Sequence, residues 1–206
     1  MTWMTLFNGH EAPVLHPRLS DINIEHIAHA LSQINRFNGS ACRPYSVAEH
    51  SILALHVSRM LGLSVHAQLA VLMHDAQEAY LGDWIYPIKQ ELGPRAKALE
   101  LHWEQLINVT FSLTTHKHIY RQDIVRCDRI ALATERRDLL PSTQPDGTPL
   151  TPWDILAGHE PLSGIDLLAP EVAYAPWHHW RDRFLSEFND LMDERQSIIH
   201  ARLGAA

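Results

Sequence analysis

Apolar residues recur at helical spacing through the first two thirds of the chain. A first helix is predicted from residues three and four positions apart, namely Ile24, Ile27, Ala28, Leu31 and Ile34. Ser46 and Glu49 form a capping-box pattern, which predicts a second helix that begins there and runs to about Leu61. This patterning favours a bundle of amphipathic helices.

A third helix is expected to begin at Ser64, because helix formers follow it without Gly or Pro until Gly82. The apolar run at residues 69–73 indicates that this helix is buried on most of its surface. His74 and Asp75 directly follow that run, and the pattern places both on this helix.

The second half of the chain changes character at Pro141. A fourth helix is predicted at about residues 94–108 and a fifth at about 115–140. Seven of the 12 prolines lie in residues 141–176, so this stretch is predicted to be a surface loop region with little regular structure. An amphipathic helix is expected to follow it.

We expect a single all-α domain over residues 1–206, because a chain of this length needs no second core. Asn8-Gly9 is typical of a hairpin turn and predicts strands at residues 3–7 and 10–14. The expected parts are a hairpin and N-terminal arm at 1–20, a helical core at 21–140, a Pro-rich loop at 141–176 and a C-terminal helix at 177–206.

Composition excludes several classes of function. The net charge of −7 argues against a binder of duplex nucleic acid, which usually carries a basic face. Two cysteines form no disulfide framework, and residues 1–5 show no signal-peptide pattern, so a cytoplasmic location is expected. No apolar run approaches the ~18 residues of a transmembrane helix, so no membrane association is expected. We also expect a homo-oligomer, a dimer or larger.

His74 and Asp75 are the first candidates for chemistry. A buried imidazole and a buried carboxylate each cost roughly several kcal/mol unless a partner satisfies them. A divalent metal ion would satisfy both. The ordinary alternative is a hydrogen-bonded core histidine beside a capping or salt-bridged aspartate.

Two further residues strengthen the metal hypothesis. His50 lies on an apolar stripe of the second helix, and Asp128 lies on an apolar stripe of the fifth. Taken singly, each has a simpler explanation, a core histidine or a buried salt bridge with an arginine such as Arg36 or Arg121. Taken with His74 and Asp75, they give two imidazoles and two carboxylates, a donor set that suits Mn²⁺, Co²⁺, Fe²⁺, Ni²⁺, Zn²⁺ or Mg²⁺.

The order His, His-Asp, Asp on consecutive helices resembles the HD-domain metal-dependent phosphohydrolase superfamily. Residues 45–51 (YSVAEHS) look like the first-ligand motif of that family. Residues 74–83 (HDAQEAYLGD), continuing to Pro87-Ile88-Lys89, look like the bacterial HD-domain 5′-deoxynucleotidases. The resemblance covers roughly residues 20–140, while the hairpin and the C-terminal part look more like a phage-and-prophage branch of HD hydrolases.

The resemblance implies an HD-domain helical bundle and assigns roles to residues. It implies that one divalent ion is bound by His50, His74, Asp75 and Asp128. Glu78 and Asp75 are expected to be the catalytic residues, with Glu78 bonding the attacking water or protonating the leaving oxygen. The implied substrate contacts are Arg36 and Lys89 to phosphate, Asp83 to a sugar hydroxyl, and Phe37, in place of the family's Trp, against the 2′ edge of the sugar.

Each of these roles has a simpler alternative. Glu78 is otherwise a surface glutamate, and Asp83 an ordinary turn aspartate. Arg36 is otherwise an ion-pair partner of Asp128 or Glu135. Phe37 is otherwise a plain core residue.

The expected activity is hydrolysis of a phosphate ester of a (deoxy)nucleotide, most closely release of phosphate from deoxynucleoside 5′-monophosphates. Triphosphate removal from a dNTP is the first alternative, since the same scaffold supports it. Hydrolysis of cyclic nucleotides or alarmones is another, the alarmone version being disfavoured because no Glu-Asp pair follows the His-Asp. A catalytically degenerate HD domain that senses nucleotide is the alternative outside enzymes.

Overall fold

The computed structural model describes residues 2–204 of the chain. Two short antiparallel strands, β1 (Trp3–Thr5) and β2 (Glu11–Pro13), come first, and helices supply nearly all the remaining regular structure of this part. The predicted all-α class with a small N-terminal hairpin is therefore confirmed. The helices are α1 (Ile24–Leu31), α2 (Val47–Met60), α3 (Val65–Leu72), α4 (Glu78–Leu81), α5 (Tyr86–Leu92), α6 (Pro94–Thr110), α7 (Thr114–Ile119), α8 (Arg121–Leu139), α9 (Pro170–Ala173) and α10 (Trp177–Leu203).

The hairpin has shorter strands than the sequence predicts. Leu6 N–H donates to the carbonyl of His10 at 2.8 Å, which leaves three residues in the loop instead of two. Gly9 has a φ of +82°, a left-handed conformation that glycine adopts without strain. A three-residue loop with a left-handed glycine is a common alternative to the two-residue turn.

α2 is the central helix of the bundle. Its capping box is formed as predicted: the Ser46 hydroxyl accepts from Glu49 N–H, and the Glu49 carboxylate accepts from Ser46 N–H. Most α2 residues are buried, because α3, α8 and α10 all pack against it. A polar side chain on α2 therefore has to find its partner inside the protein.

The predicted third helix ends earlier than expected. α3 stops at Leu72, so the placement of His74 and Asp75 inside a helix is wrong. The chain continues in tighter turns over residues 73–77, with His74 N–H donating to the Val71 carbonyl at 3.2 Å and Ala76 N–H to the Met73 carbonyl at 3.4 Å. Consecutive side chains diverge by about 100° on an α-helix. Because His74 and Asp75 lie in a turn instead, their side chains are not held at that angle.

Two further elements differ from the prediction. The fifth helix is divided at Tyr120, whose φ of −95° and ψ of 18° interrupt the helical path between α7 and α8. α5 lies between the predicted third and fourth helices, where no helix was predicted, and it has a proline in its first turn, where the missing N–H costs no hydrogen bond.

The Pro-rich stretch has little regular structure, as predicted, but it is fixed to α8. It contains a 3₁₀ turn at Asp154–Leu156 and the short α9. Leu162 is buried, and its N–H donates to the Thr134 hydroxyl at 2.9 Å. Arg137 donates to the Leu162 and Ile165 carbonyls, at 2.6 Å each. The stretch is therefore anchored to α8 at these points, although most of its residues are exposed. Within residues 2–204, no helix combines the length and the apolar character needed to cross a bilayer.

Asp21 ties the N-terminal arm together and predicts a pH-dependent contribution to stability. It is fully buried and accepts from Arg18 N–H and from the His10 ring, each at 2.7 Å. Burial alone would raise the pKa of Asp21, but the hydrogen bonds from Arg18 and His10 lower it. A carboxylate with a lowered folded-state pKa stabilises the fold above its unfolded value of about 3.9, and this contribution is lost as the pH falls through the folded-state pKa.

Asp21→Asn should therefore lower the free energy of unfolding at pH 7 by about 1–3 kcal/mol, the size of hydrogen bonds to a charged group. The difference in unfolding free energy between the variant and the wild type should become smaller below about pH 4. Urea unfolding at neutral and acidic pH measures both values, with the exposed Asp182→Asn as the control. If this difference in unfolding free energy stays constant with pH, the stabilisation does not come from the ionised Asp21 carboxylate.

Candidate metal centre

Polar side chains from three parts of the bundle meet at one point. His50 Nε2, on α2, lies 3.2 Å from His74 Nε2 and 3.2 Å from Asp128 Oδ1 on α8. Asp75 Oδ2 lies 3.1 Å from His74 Nε2 and 3.6 Å from His50 Nε2. His50, His74 and Asp128 form a group that can hold a metal ion. Asp75 stands beside them, so the four residues predicted as ligands are brought together.

The far side of each imidazole ring fixes its orientation. His74 Nδ1 lies 2.7 Å from the Val71 carbonyl, and His50 Nδ1 lies 2.5 Å from Glu135 Oε1. A carbonyl and a carboxylate accept hydrogen bonds, so each Nδ1 carries a proton and donates it. The Nε2 atoms then offer their lone pairs to the centre, which is the usual arrangement of histidines that bind a metal.

Protons and a cation compete for this centre. Burial disfavours a charged imidazole, yet Asp75 and Asp128 raise the pKa of His74 to about 10. Burial and Arg36 likewise oppose a charge on His50, but Glu135 and Asp128 raise its pKa. The histidines lower the pKa of both aspartates against the effect of burial. The proton given up on binding a metal is the one on Nε2, so metal affinity falls as the pH falls.

Glu135 connects the centre to a buried network. Its Oε1 accepts from the Tyr45 hydroxyl at 3.0 Å, and its Oε2 lies 3.2 Å from Arg36 Nη2. Arg36 Nη1 also lies 3.7 Å from Asp75 Oδ2. Arg36 therefore balances the charge of two carboxylates, Glu135 and Asp75.

Glu78 is also buried, and its charge interacts with that of Asp75. One of its carboxyl oxygens, Oε2, is buried without a hydrogen-bond partner. Lys89 Nζ lies 3.7 Å from the other oxygen and 2.9 Å from Glu100 Oε1. Burial, followed by the charges of Asp75 and Asp83, raises the pKa of Glu78 well above its usual value. Burial and the neighbouring carboxylates therefore favour the protonated form of Glu78 relative to an exposed glutamate.

Asp83 and Phe37 also lie near these charges. Burial raises the pKa of Asp83, whose charge interacts with Arg36 and Lys89. Phe37 has a φ of +57°, an outlier for a bulky residue that costs about 1–3 kcal/mol. Its ring centroid lies 5.4 Å from the Arg36 guanidinium carbon and 6.4 Å from the Trp153 ring. The strained residue thus keeps an aromatic ring beside Arg36.

Comparison with known proteins places the chain among relatives. No family model matches it. It is 32% identical over 198 residues to the uncharacterized protein YfdR of Escherichia coli K12, a match that covers 95% of this chain and 99% of YfdR. The chain belongs to the YfdR family. It is also 36% identical over 115 residues to an uncharacterized protein of Rhodobacter capsulatus; this match covers 54% of the chain and only 59% of that relative.

In this YfdR-family chain, the two residues expected to contact phosphate already form ion pairs within the protein. Arg36 and Lys89 both have carboxylate partners, Arg36 with Glu135 and Asp75, and Lys89 with Glu100. Arg36 therefore makes the ion pair that was its simpler alternative. Its contact with phosphate, and that of Lys89, stays a prediction.

Sequence reasoning missed two residues of the YfdR-family site. Glu135 was considered only as an ion-pair partner of Arg36 and not as a partner of His50, although it lies seven residues after Asp128 and so on the same face of α8. Lys117 was missed as well. Its Nζ lies 3.3 Å from the main-chain carbonyl of His74, a contact across 43 residues that no sequence pattern signals.

The donor set of this YfdR-family centre fits a divalent cation. It presents two imidazole nitrogens and two carboxylates and no thiolate, which suits Mg²⁺, Zn²⁺ and the first-row metals from Mn²⁺ to Ni²⁺. The buried, unpartnered oxygen of Glu78 adds a group with unused hydrogen-bonding capacity near the centre.

Proposed function

We propose that the chain is a metal-dependent phosphohydrolase that acts on (deoxy)nucleotides, most closely a 5′-deoxynucleotidase that releases phosphate from dNMPs. One observation carries the proposal: a cluster of two imidazoles and two carboxylates lies near the buried Glu78, whose pKa is raised by burial and by the charge of Asp75. Strongly shifted pKa values with named charge partners are typical of catalytic sites. The resemblance of residues 74–89 to the HD-domain nucleotidases supplies the substrate class.

The ion is proposed to be held by His50, His74, Asp75 and Asp128. A bound divalent ion would polarise a phosphoryl oxygen and lower the pKa of water, which provides a nucleophile near neutral pH. Arg36 and Lys89 would orient the phosphate by charge. Glu78 would give its proton to the leaving 5′ oxygen as the ester bond breaks.

The sugar contacts follow from the same resemblance. Asp83 would accept a hydrogen bond from the 3′-hydroxyl. Phe37 would disfavour a 2′-hydroxyl, but less strongly than the family's larger Trp. Discrimination against ribonucleotides should therefore be modest, and a larger pocket would also leave room for a triphosphate.

The identity of the products tests the proposal. Chelator-treated protein reloaded with Mn²⁺, Co²⁺ or Mg²⁺ is incubated with dNMPs, NMPs and dNTPs, and the products are separated by chromatography. We expect orthophosphate and a deoxynucleoside from dNMPs. Asp128→Ala, treated in parallel, excludes a contaminating phosphatase.

Two other results would point elsewhere. Tripolyphosphate from a dNTP, with monophosphates untouched, would replace the nucleotidase by a triphosphohydrolase at the same metal site. Bound metal without turnover of any nucleotide would favour the nucleotide-sensing alternative.

A further inference from the structure

Lys117 on α7 reaches the turn that carries His74 and Asp75. Its Nζ lies 3.3 Å from the His74 main-chain carbonyl and 3.1 Å from Glu104 Oε1. Only 10% of the Lys117 side chain is exposed, while 35% of Glu104 is exposed. The ammonium group is therefore held inside the protein, with Glu104 at the solvent side and His74 at the inner side.

The His74 carbonyl accepts a hydrogen bond from a side chain, whereas the neighbouring carbonyls accept from backbone N–H groups. Val71 O accepts from His74 N–H, Met73 O from Ala76 N–H, and Asp75 O from Glu78 N–H. These backbone bonds form the tight turns of residues 73–77. The His74 carbonyl lies in the middle of the same turn and accepts from the side chain of Lys117.

We propose that Lys117 is a positioning residue of the metal centre. By donating to the His74 carbonyl, it holds the 73–77 turn in the one conformation that directs both His74 Nε2 and Asp75 Oδ2 to the point shared with His50 and Asp128. The inference rests on the metal site of the proposed function and is independent of the substrate.

The charge of Lys117 and its hydrogen bond to His74 should have opposite effects on metal affinity. Its positive charge interacts with Asp75, and a cation close to a cation site repels the metal. If charge were its whole effect, removing Lys117 would tighten metal binding. If Lys117 fixes the turn, removing it weakens metal binding despite the lost repulsion. The sign of the change therefore separates the two roles.

Lys117→Met, in the full chain freed of metal by a chelator, makes the test. Methionine has a similar length but no donor and no charge. We expect the dissociation constant for Mn²⁺ or Co²⁺ to rise by about 10- to 100-fold, as for other residues that orient metal ligands. The metal-free variant should remain folded, with an unfolding midpoint somewhat below that of the wild type, because the His74 carbonyl loses its donor while the partly exposed Glu104 can be solvated. Co²⁺ absorption bands should also change with the ligand geometry.

Glu104→Gln is the matched control, because it removes the ion pair and leaves the bond from Lys117 to His74. Its metal affinity should stay within about threefold of the wild type, as for a partly exposed pair. If Lys117→Met does not fold, Lys117→Ala is used in its place, and the same loss of metal affinity is expected.

Wild-type affinity or tighter binding in Lys117→Met would overturn the positioning role, as would equal weakening in Glu104→Gln. Failure of the wild-type protein to bind metal at all would instead refute the proposed function. The two failures are thereby distinguishable.

Discussion

Asp128→Ala is expected to leave the protein without stoichiometric metal after dialysis. Asp128 is one of two carboxylates at the centre, and its Oδ1 lies 3.2 Å from His50 Nε2 and 3.8 Å from His74 Nε2. Its loss removes a negative charge and a ligand atom from a site that must displace protons to bind the ion. Affinity should fall by more than about 100-fold, beyond the loss seen for residues that only orient ligands.

Elemental analysis of the wild type and the variant, with a Co²⁺ titration of each, measures this change. Asp123→Ala on the same helix is the control, since it removes an equal charge about one and a half turns away. Phosphate release should disappear together with the metal. Full metal occupancy in Asp128→Ala would show that this residue is wrongly assigned.

Glu78→Gln is expected to keep the metal and the substrate and to lose most turnover. The amide has the shape of the protonated acid but cannot give up a proton to a leaving oxygen. General acid–base groups typically contribute about 10²–10⁴-fold, so kcat should fall by that factor while KM changes little.

Steady-state kinetics with a dNMP, alongside the metal content, tests this role. Glu100→Gln is the matched control, because Glu100 shares Lys89 with Glu78 and is absent from the proposed mechanism. Near wild-type kcat in Glu78→Gln would remove Glu78 from the mechanism. A similar loss in Glu100→Gln would assign the effect to Lys89 instead.

Local patterns in the sequence were sufficient where a single element decides the structure. The capping box at Ser46 and Glu49 places the start of α2, and the apolar stripe identifies His50 as a polar residue on a buried face. Asp128 was found in the same way. These features depend on residues three, four or seven positions apart, and that spacing can be read from the chain itself.

The prediction was wrong where distant residues decide the structure. Helix propensity favours an α-helix through residues 64–81, yet the chain leaves the α-helix at Leu72 and places His74 and Asp75 in a tight turn. Partners on α2, α7 and α8 surround that turn, and their contacts outweigh a propensity of a few tenths of a kcal/mol, roughly, per residue. The fixed position of the Pro-rich stretch on α8 depends likewise on Thr134 and Arg137, whose side-chain bonds no periodicity reveals.

The bonds around Glu135 carry a consequence for folding. The contact of Glu135 with His50 spans 85 residues, and the one with Arg36 spans 99. Loops of that length must close before the centre exists, and such non-local closure is slow compared with helix formation. During synthesis, the segment bearing His50, His74 and Asp75 emerges before α8, so it presents an incomplete site to passing ions. A metal ion bound by residues of all three segments would therefore stabilise only the finished fold, and not its partly folded precursors.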